Sequence, residues 1–307
     1  MARMVCRQYN HNQRIPNYTQ RKRPMFVPYI ANSLSIAYQL RWSLAVFPTV
    51  PFEKPIDWIA ELSHACEPDG IRVLEASVST NGSLLLLLST KPNVVPATIV
   101  QRVKGRLQHL LRDRGGIAWR RNFRLTAVGD ANVNVVEQYV ANQLDHHPTA
   151  TAKARINLQE AQWRDPTIDV SVPIQSSHGQ YSLGLHVVLV HAERWLNADG
   201  RFVEITQTAI RGTLVELGCP ASQISLLADH VHIVFRLRYD LSPGDVIVKV
   251  MNEVCESQGG LRMWMEGFYV GTVGSYDMAA LRNSLVRTSL KSHDSIDARS
   301  KEIERDR

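Results

Sequence analysis

The sequence predicts an α+β fold: two tandem ferredoxin-like (RRM-like) β-α-β-β-α-β-α units with antiparallel sheets and helices on one face. Three observations predict it. Strand and helix patterns run through the same order twice along the chain. Residues recur with the elements: Trp119, Phe123 and Val128-Gly129 reappear as Trp264, Phe268 and Val273-Gly274 at a constant offset, and Pro96 and Pro243 open equivalent helices. The length, 307 residues, suits two domains of ordinary size.

The first unit begins with LRWSLAVFP, a strand by its aromatic and β-branched content, and PIDWIAELSHACEPDG, a helix opened by Pro55 and closed by Gly70. IRVLEASVS and SLLLLLST are two strands joined through Asn81-Gly82, a dipeptide suited to a tight hairpin. PATIVQRVKGRLQHLLRDRGG has apolar residues at helical spacing, with Arg and Lys opposite. FRLTAVG is a fourth strand and NVNVVEQYVANQLDHH a final helix. In the second unit SLGLHVVLVH, SQISLLAD, HVHIVFRL and GFYVGTVG are strands, while EITQTAIRGTLVELG, SPGDVIVKVMNEVCESQGG and DMAALRNSLVRTSLK are helices. The expected division is a basic arm at 1–38, a first repeat at 39–147, a linker at 148–179 that carries one short helix, a second repeat at 180–292 and a polar tail at 293–307.

Hydrophobic content of 44% and charged content of 21% exclude a globally disordered chain. No apolar run reaches transmembrane length, and the first residues lack the apolar core of a signal peptide, so no membrane is expected. Four cysteines without CxxC spacing point to a reducing cytoplasm rather than to disulfides or a zinc knuckle. A net charge of +6 is a mild pointer to an anionic partner such as nucleic acid.

Within HVHIVFRL, His230 and His232 lie at i and i+2 and therefore share one face of a strand, while Val231 and Ile233 face the core. Two neutral imidazoles side by side can bind a divalent cation, but two ligands are rarely sufficient. On its own the pair reads equally well as a metal site or as a solvent-facing polar face.

LLADHVHIVF, followed by a helix and then GFYVGTVG, resembles the small HUH tyrosine transposases, including the REP-associated group. The likeness covers nearly all of both halves. It implies a His-hydrophobic-His strand that holds Mg²⁺ or Mn²⁺, a tyrosine on the last helix that attacks a phosphodiester of single-stranded DNA, and a glutamine one turn later that completes the metal site. It also implies a homodimer whose sites can be assembled in trans.

Carried over residue by residue, these features are split between the halves. The second copy's last helix has Ser284 and Thr288 where the tyrosine and glutamine belong. The first copy's helix has Tyr139 and Gln143 one turn apart. The first copy's hairpin, in turn, carries Ser83 and Leu85 in place of the histidines, and leucine cannot ligate a metal. Each half lacks what the other keeps, so one composite site is expected: Tyr139 as nucleophile, with His230, His232 and Gln143 as metal ligands. A phenol with a pKa near 10 is a weak nucleophile at neutral pH, and a cation on the scissile phosphate would offset charge there. Glutamine's neutral oxygen suits Mg²⁺ or Mn²⁺.

The resemblance thus implies a bacterial, cytoplasmic, metal-dependent enzyme that nicks and joins single-stranded or hairpin DNA through a 5′-phosphotyrosine, as one pseudo-dimeric chain or as a higher oligomer. The alternative is a catalytically inactive, domesticated protein that binds hairpin or single-stranded DNA. Lys104, Arg106, Arg112, Arg114, Arg120, Arg121 and Arg124 are the candidate phosphate track, against the plain alternative of a solvated helix face. Arg14, Arg21, Lys22 and Arg23 form either a DNA-contacting arm or a solubilising extension. Trp42, Trp58, Trp119 and Trp264 are read as core, and His146 and His147 as a C-terminal helix cap close to the site.

Overall fold

The computed structural model describes residues 27–53, 56–147, 149, 151–192 and 198–274. The final helix expected at 277–291, with Ser284 and Thr288, lies outside the described residues, as do the basic residues of the arm and the 293–307 tail.

A leading strand β1 (Ser35–Gln39) precedes the first unit: β2 (Arg41–Pro48), α1 (Ile59–Cys66), β3 (Ile71–Val78), β4 (Leu84–Thr90), α2 (Pro96–Leu110), β5 (Trp119–Val128) and α3 (Val133–Ala141). α4 (Gln143–His146) ends the first repeat, and the expected linker is ordered into α5 (Ala152–Glu160), β6 (Trp163–Arg164), β7 (Ile174–Ser176) and the start of β8 (Gly179–Ser182). The second unit follows as β9 (Gly184–His191), α6 (Gly200–Glu216), β10 (Ala221–Leu226), β11 (His230–Arg236), α7 (Pro243–Ser257) and β12 (Trp264–Val273).

Two six-stranded, mostly antiparallel sheets result, ordered β3-β4-β2-β5-β8-β7 and β1-β12-β9-β11-β10-β6. Each contains the ferredoxin-like order, with the unit's first strand between its third and fourth. The predicted α+β class holds, with one refinement: each sheet also carries a parallel pair, β5 with β8 and β12 with β1. The linker is therefore not merely a connector. It supplies the edge strand β6 to the second sheet, and β7 and the start of β8 to the first. The Asn81-Gly82 turn is longer than a two-residue hairpin. Ser79 and Ser83 close it through a backbone hydrogen bond of 2.8 Å, and Gly82 takes the left-handed conformation at φ 75°.

Alternation along the strands divides core from site. Leu84, Leu86 and Leu88 of β4, and Val231, Ile233 and Phe235 of β11, are fully buried in the main core with the apolar sides of α2 and α7. Trp42, Trp58 and Trp264 are also buried there, as expected.

The halves meet reciprocally. Ala97 N–H donates to the Tyr239 carbonyl oxygen at 3.0 Å, and Gly244 N–H donates to that of Pro92 at 2.8 Å. By the offset that relates Pro96 to Pro243, these are the same contact made in both directions. The parallel pairs agree too, since Ile36 sits opposite Phe268 and Gly179 opposite Phe123. At the crossing point of β5 and β12, Gly129 N–H donates to the Gly274 carbonyl oxygen at 2.9 Å. A Cβ on Gly129 would lie 2.3 Å from the Thr272 carbonyl oxygen, and one on Gly274 would lie 2.2 Å from that of Ala127. The repeated Val-Gly of the sequence is therefore where two backbones touch.

One helix departs from the one-face expectation. α3 crosses to the second sheet and packs on the face opposite its main core, where Val133, Val140, Val170, Val234 and Val273 form a separate apolar cluster. The second sheet is thus covered on both sides, by α6 and α7 on one and by α3 of the first unit on the other.

Candidate composite active site

β11 presents His230, His232 and Val234 to the face that α3 covers. Val234 anchors the helix, and the two histidines lie beyond it. His232 is buried, with 4% of its surface exposed. Its Nε2 lies 3.1 Å from Nε2 of His230, so the two ring nitrogens face one another. On its far side, His230 Nδ1 lies 2.7 Å from Oδ1 of Asp229.

α3 brings Tyr139 to this pair. Asn132 caps the helix by accepting from the Val135 N–H at 2.9 Å. With Val133, Val136 and Val140 against the valine cluster, Tyr139 lies over His232 with ring centroids 5.7 Å apart and planes at 86°. The tyrosine remains 52% exposed, which leaves its hydroxyl open to a large substrate.

The turn that carries Tyr139 is also held from below by Gln223 of β10. In the amide orientation that satisfies both atoms, its nitrogen donates to the Glu137 carbonyl oxygen at 3.0 Å and its oxygen accepts from the Ala141 N–H at 2.9 Å. That insertion occupies the i to i+4 rung of the helix and accounts for the break between α3 and α4 at Asn142.

Gln143 is buried, and its Nε2 donates to the Tyr139 carbonyl oxygen at 2.9 Å. Among the described residues, no three His, Cys, Asp or Glu side chains converge in the manner of a metal centre. The two facing nitrogens nonetheless fit one edge of a hexacoordinate cation, since adjacent octahedral ligands at 2.0–2.1 Å from an ion are about 2.9 Å apart. The remaining positions would fall to oxygen donors such as water and phosphate.

Two further histidines complete the cluster. His147, at the C-cap of α4 as expected of a helix end, has its ring 5.0 Å from that of His230. Burial, and then the neighbouring His230, lower its pKa. His186 of β9 had no signal in the sequence beyond its place in a strand. Its ring is nearly coplanar with that of His232, at 4° between planes with centroids 5.2 Å apart, and its Nε2 lies 3.0 Å from His232 Nδ1. Burial pushes the pKa of His186 down to about 4, and burial with His186 and His230 nearby pushes that of His232 down to about 2. Both rings are therefore neutral near pH 7, with lone pairs available. Tyr269 borders His186 at 6.1 Å.

Among the described residues, the equivalent face of the first sheet holds no such cluster. Leu85 packs there with Ala45 and Phe47.

The candidate phosphate track is largely occupied by intramolecular bonds. Lys104 Nζ donates to the carbonyl oxygens of Arg120, Arg121 and Asn122, at 2.8, 3.1 and 3.4 Å. Arg106 pairs with Asp69, and Arg114 with both Asp57 and Glu61. Arg124 is half-buried, and its pKa is lowered by that burial. Arg112, Arg120 and Arg121 remain exposed. Arg120 and Arg121 stand at the opposite end of β5 from α3, about 20 Å or more along the strand.

A tyrosine over a histidine pair on an antiparallel sheet is the arrangement that the resemblance to the HUH tyrosine transposases implies. Residues 58–143, ending on Gln143, match the family described as IS200-like transposases. No curated protein matches the chain. Among solved structures, one from Deinococcus radiodurans R1 assigned as a transposase is 12% identical, with a TM-score of 0.31, covering 37% of this chain and 97% of that one. A REP-associated tyrosine transposase bound to a REP hairpin is 13% identical, with a TM-score of 0.27, covering 33% of this chain and 61% of that one. A structure assigned as a glycine cleavage system transcriptional repressor is 11% identical, with a TM-score of 0.20, covering 77% of this chain and 98% of that one. These three likenesses are too distant to bear on function. No helix among the described residues is long and apolar enough to cross a membrane.

Proposed function

We infer that this chain is a metal-dependent, single-stranded DNA nicking and joining enzyme with one composite active site shared by two fused transposase-like repeats. The observation that carries the reading is Tyr139 of the first repeat lying 5.7 Å from His232 of the second. The reciprocal contacts between the halves support a single-chain pseudo-dimer, because an isologous interface makes each contact twice. The repeats are taken as 39–147 and 180–292, joined by 148–179.

The chemistry follows from the residues present. His230 and His232 would hold Mg²⁺ or Mn²⁺ through facing Nε2 atoms, and Asp229 orients His230 through Nδ1. The cation, when bound, would neutralise charge on the scissile phosphate. The Tyr139 hydroxyl oxygen attacks phosphorus while the bond to the 3′ oxygen breaks. A 5′-phosphotyrosine and a free 3′-OH result, and reversal of the step rejoins the strand. Gln143 supports the Tyr139 turn through its Nε2 hydrogen bond, and its Oε1 would be the further metal ligand. Hairpin DNA in a bacterial cytoplasm is the proposed substrate.

Purified protein incubated with Mn²⁺ and hairpin-bearing single-stranded oligonucleotides tests this. A covalent DNA adduct that is lost in Tyr139→Phe and kept in Ser284→Ala is the expected result. Tight hairpin binding without an adduct on any sequence would instead favour the inert DNA-binding reading.

A further inference from the structure

We propose that His186 is a positioning residue that fixes the tautomer of His232, so that the Nε2 lone pair of His232 faces His230. The inference rests on the His pair acting as a cation site.

A neutral imidazole carries one N–H and one lone pair. His232 has a neighbour at each nitrogen, with Nε2 3.1 Å from His230 and Nδ1 3.0 Å from His186. For Nε2 to act as a ligand, the proton must sit on Nδ1, and a buried N–H needs an acceptor. Nε2 of His186 is that acceptor, with its own proton then on Nδ1. The arrangement mirrors that at His230, where Nδ1 faces the Asp229 carboxylate at 2.7 Å. Each histidine thus has an acceptor behind it, charged for His230 and neutral for His232.

The fold places His186 for this task. On β9 it is paired with Val234, and Val188 is paired with His232, so His186 is the diagonal neighbour of His232 on the same face. The near-coplanar, edge-to-edge arrangement of the two rings, 4° between planes with centroids 5.2 Å apart, aligns this hydrogen bond with the plane of His232. A neutral acceptor makes His232 a weaker base than a carboxylate would, which suits a cation exchanged during turnover.

The test uses full-length protein and Mn²⁺ affinity from titration followed by electron paramagnetic resonance. His186→Phe keeps an aromatic ring but removes the acceptor, and should weaken Mn²⁺ binding about 10- to 100-fold. His186→Gln restores an acceptor oxygen and should recover most of that loss. In wild-type protein, ¹⁵N shifts of the labelled His232 ring should report the proton on Nδ1. Should His186→Phe bind Mn²⁺ as wild type does while His230→Ala does not, the positioning role is overturned and the His pair stands. Unchanged affinity in His230→Ala would overturn the cation site itself, and the role of His186 with it. A His232 proton found on Nε2 in the wild type overturns the proposal even if His186→Phe fails to fold.

Discussion

Tyr139 stands edge-on over His232, with ring centroids 5.7 Å apart and planes at 86°, although the two belong to different sheets' repeats. The relationship depends on α3 leaving its own unit to cover the second sheet. Anything that loosens that docking should act on catalysis before it acts on the fold.

Gln223 tests this most directly. Its amide occupies the Glu137–Ala141 rung beneath Tyr139. Gln223→Leu should lower the rate of adduct formation about 100-fold, the scale expected of a misplacement near 1 Å. Mn²⁺ affinity should stay near wild type, because neither histidine is touched. Single-turnover assays beside Mn²⁺ titrations would separate the two, and parallel losses would contradict the account.

The close backbone approach at Gly129 makes a prediction about stability. A Cβ there would meet the Thr272 carbonyl oxygen at 2.3 Å, and a backbone oxygen cannot rotate away. Gly129→Ala is expected to destabilise the chain by about 3 kcal/mol, the upper part of the overpacking range. Gly105→Ala, at a helical site where a Cβ meets nothing within 4 Å, should be neutral or stabilising. Denaturant melts of the two variants provide the comparison.

Acid sensitivity follows from the buried histidines. Folding depresses the pKa of His186 from 6.5 to about 4, and that of His232 to about 2, because burial disfavours the charged ring. The stability each contributes is fully present above pH 6.5 and is lost as pH falls towards the folded value. Metal-free protein should lose about 2.5 kcal/mol per ring, about 5 kcal/mol for the two, between pH 7 and 4.5. The loss should shrink in His186→Phe, measured by melts across that range.

The basic residues divide into two groups. Replacing exposed Arg112, Arg120 and Arg121 with alanine should leave the melting temperature unchanged. If they contact phosphate, the salt dependence of single-strand binding should flatten by about 2 in slope. Lys104→Met should do the reverse, lowering the melting temperature because three carbonyl oxygens lose their donor.

The sequence alone carried the twofold order of elements, since hydrophobic periodicity and turn residues are local signals and are repeated here. It also placed the His-x-His strand in the second half of the chain and the Tyr-x-x-x-Gln helix in the first. The linker strands were not legible, because short edge strands such as Trp163–Arg164 are defined by a neighbour's hydrogen bonds rather than by their own pattern. His186 was equally silent, as one histidine in an apolar strand says nothing about which ring it will meet across the sheet. For Gln143 the one-turn spacing from Tyr139 was legible, whereas the hydrogen bond from its Nε2 to the Tyr139 carbonyl oxygen was not. Residue identities determined which chemistry this protein has available. Only the tertiary structure decided which groups share a site, because the docking of α3, the strand register and each ring's second hydrogen bond are set by contacts between distant parts of the chain.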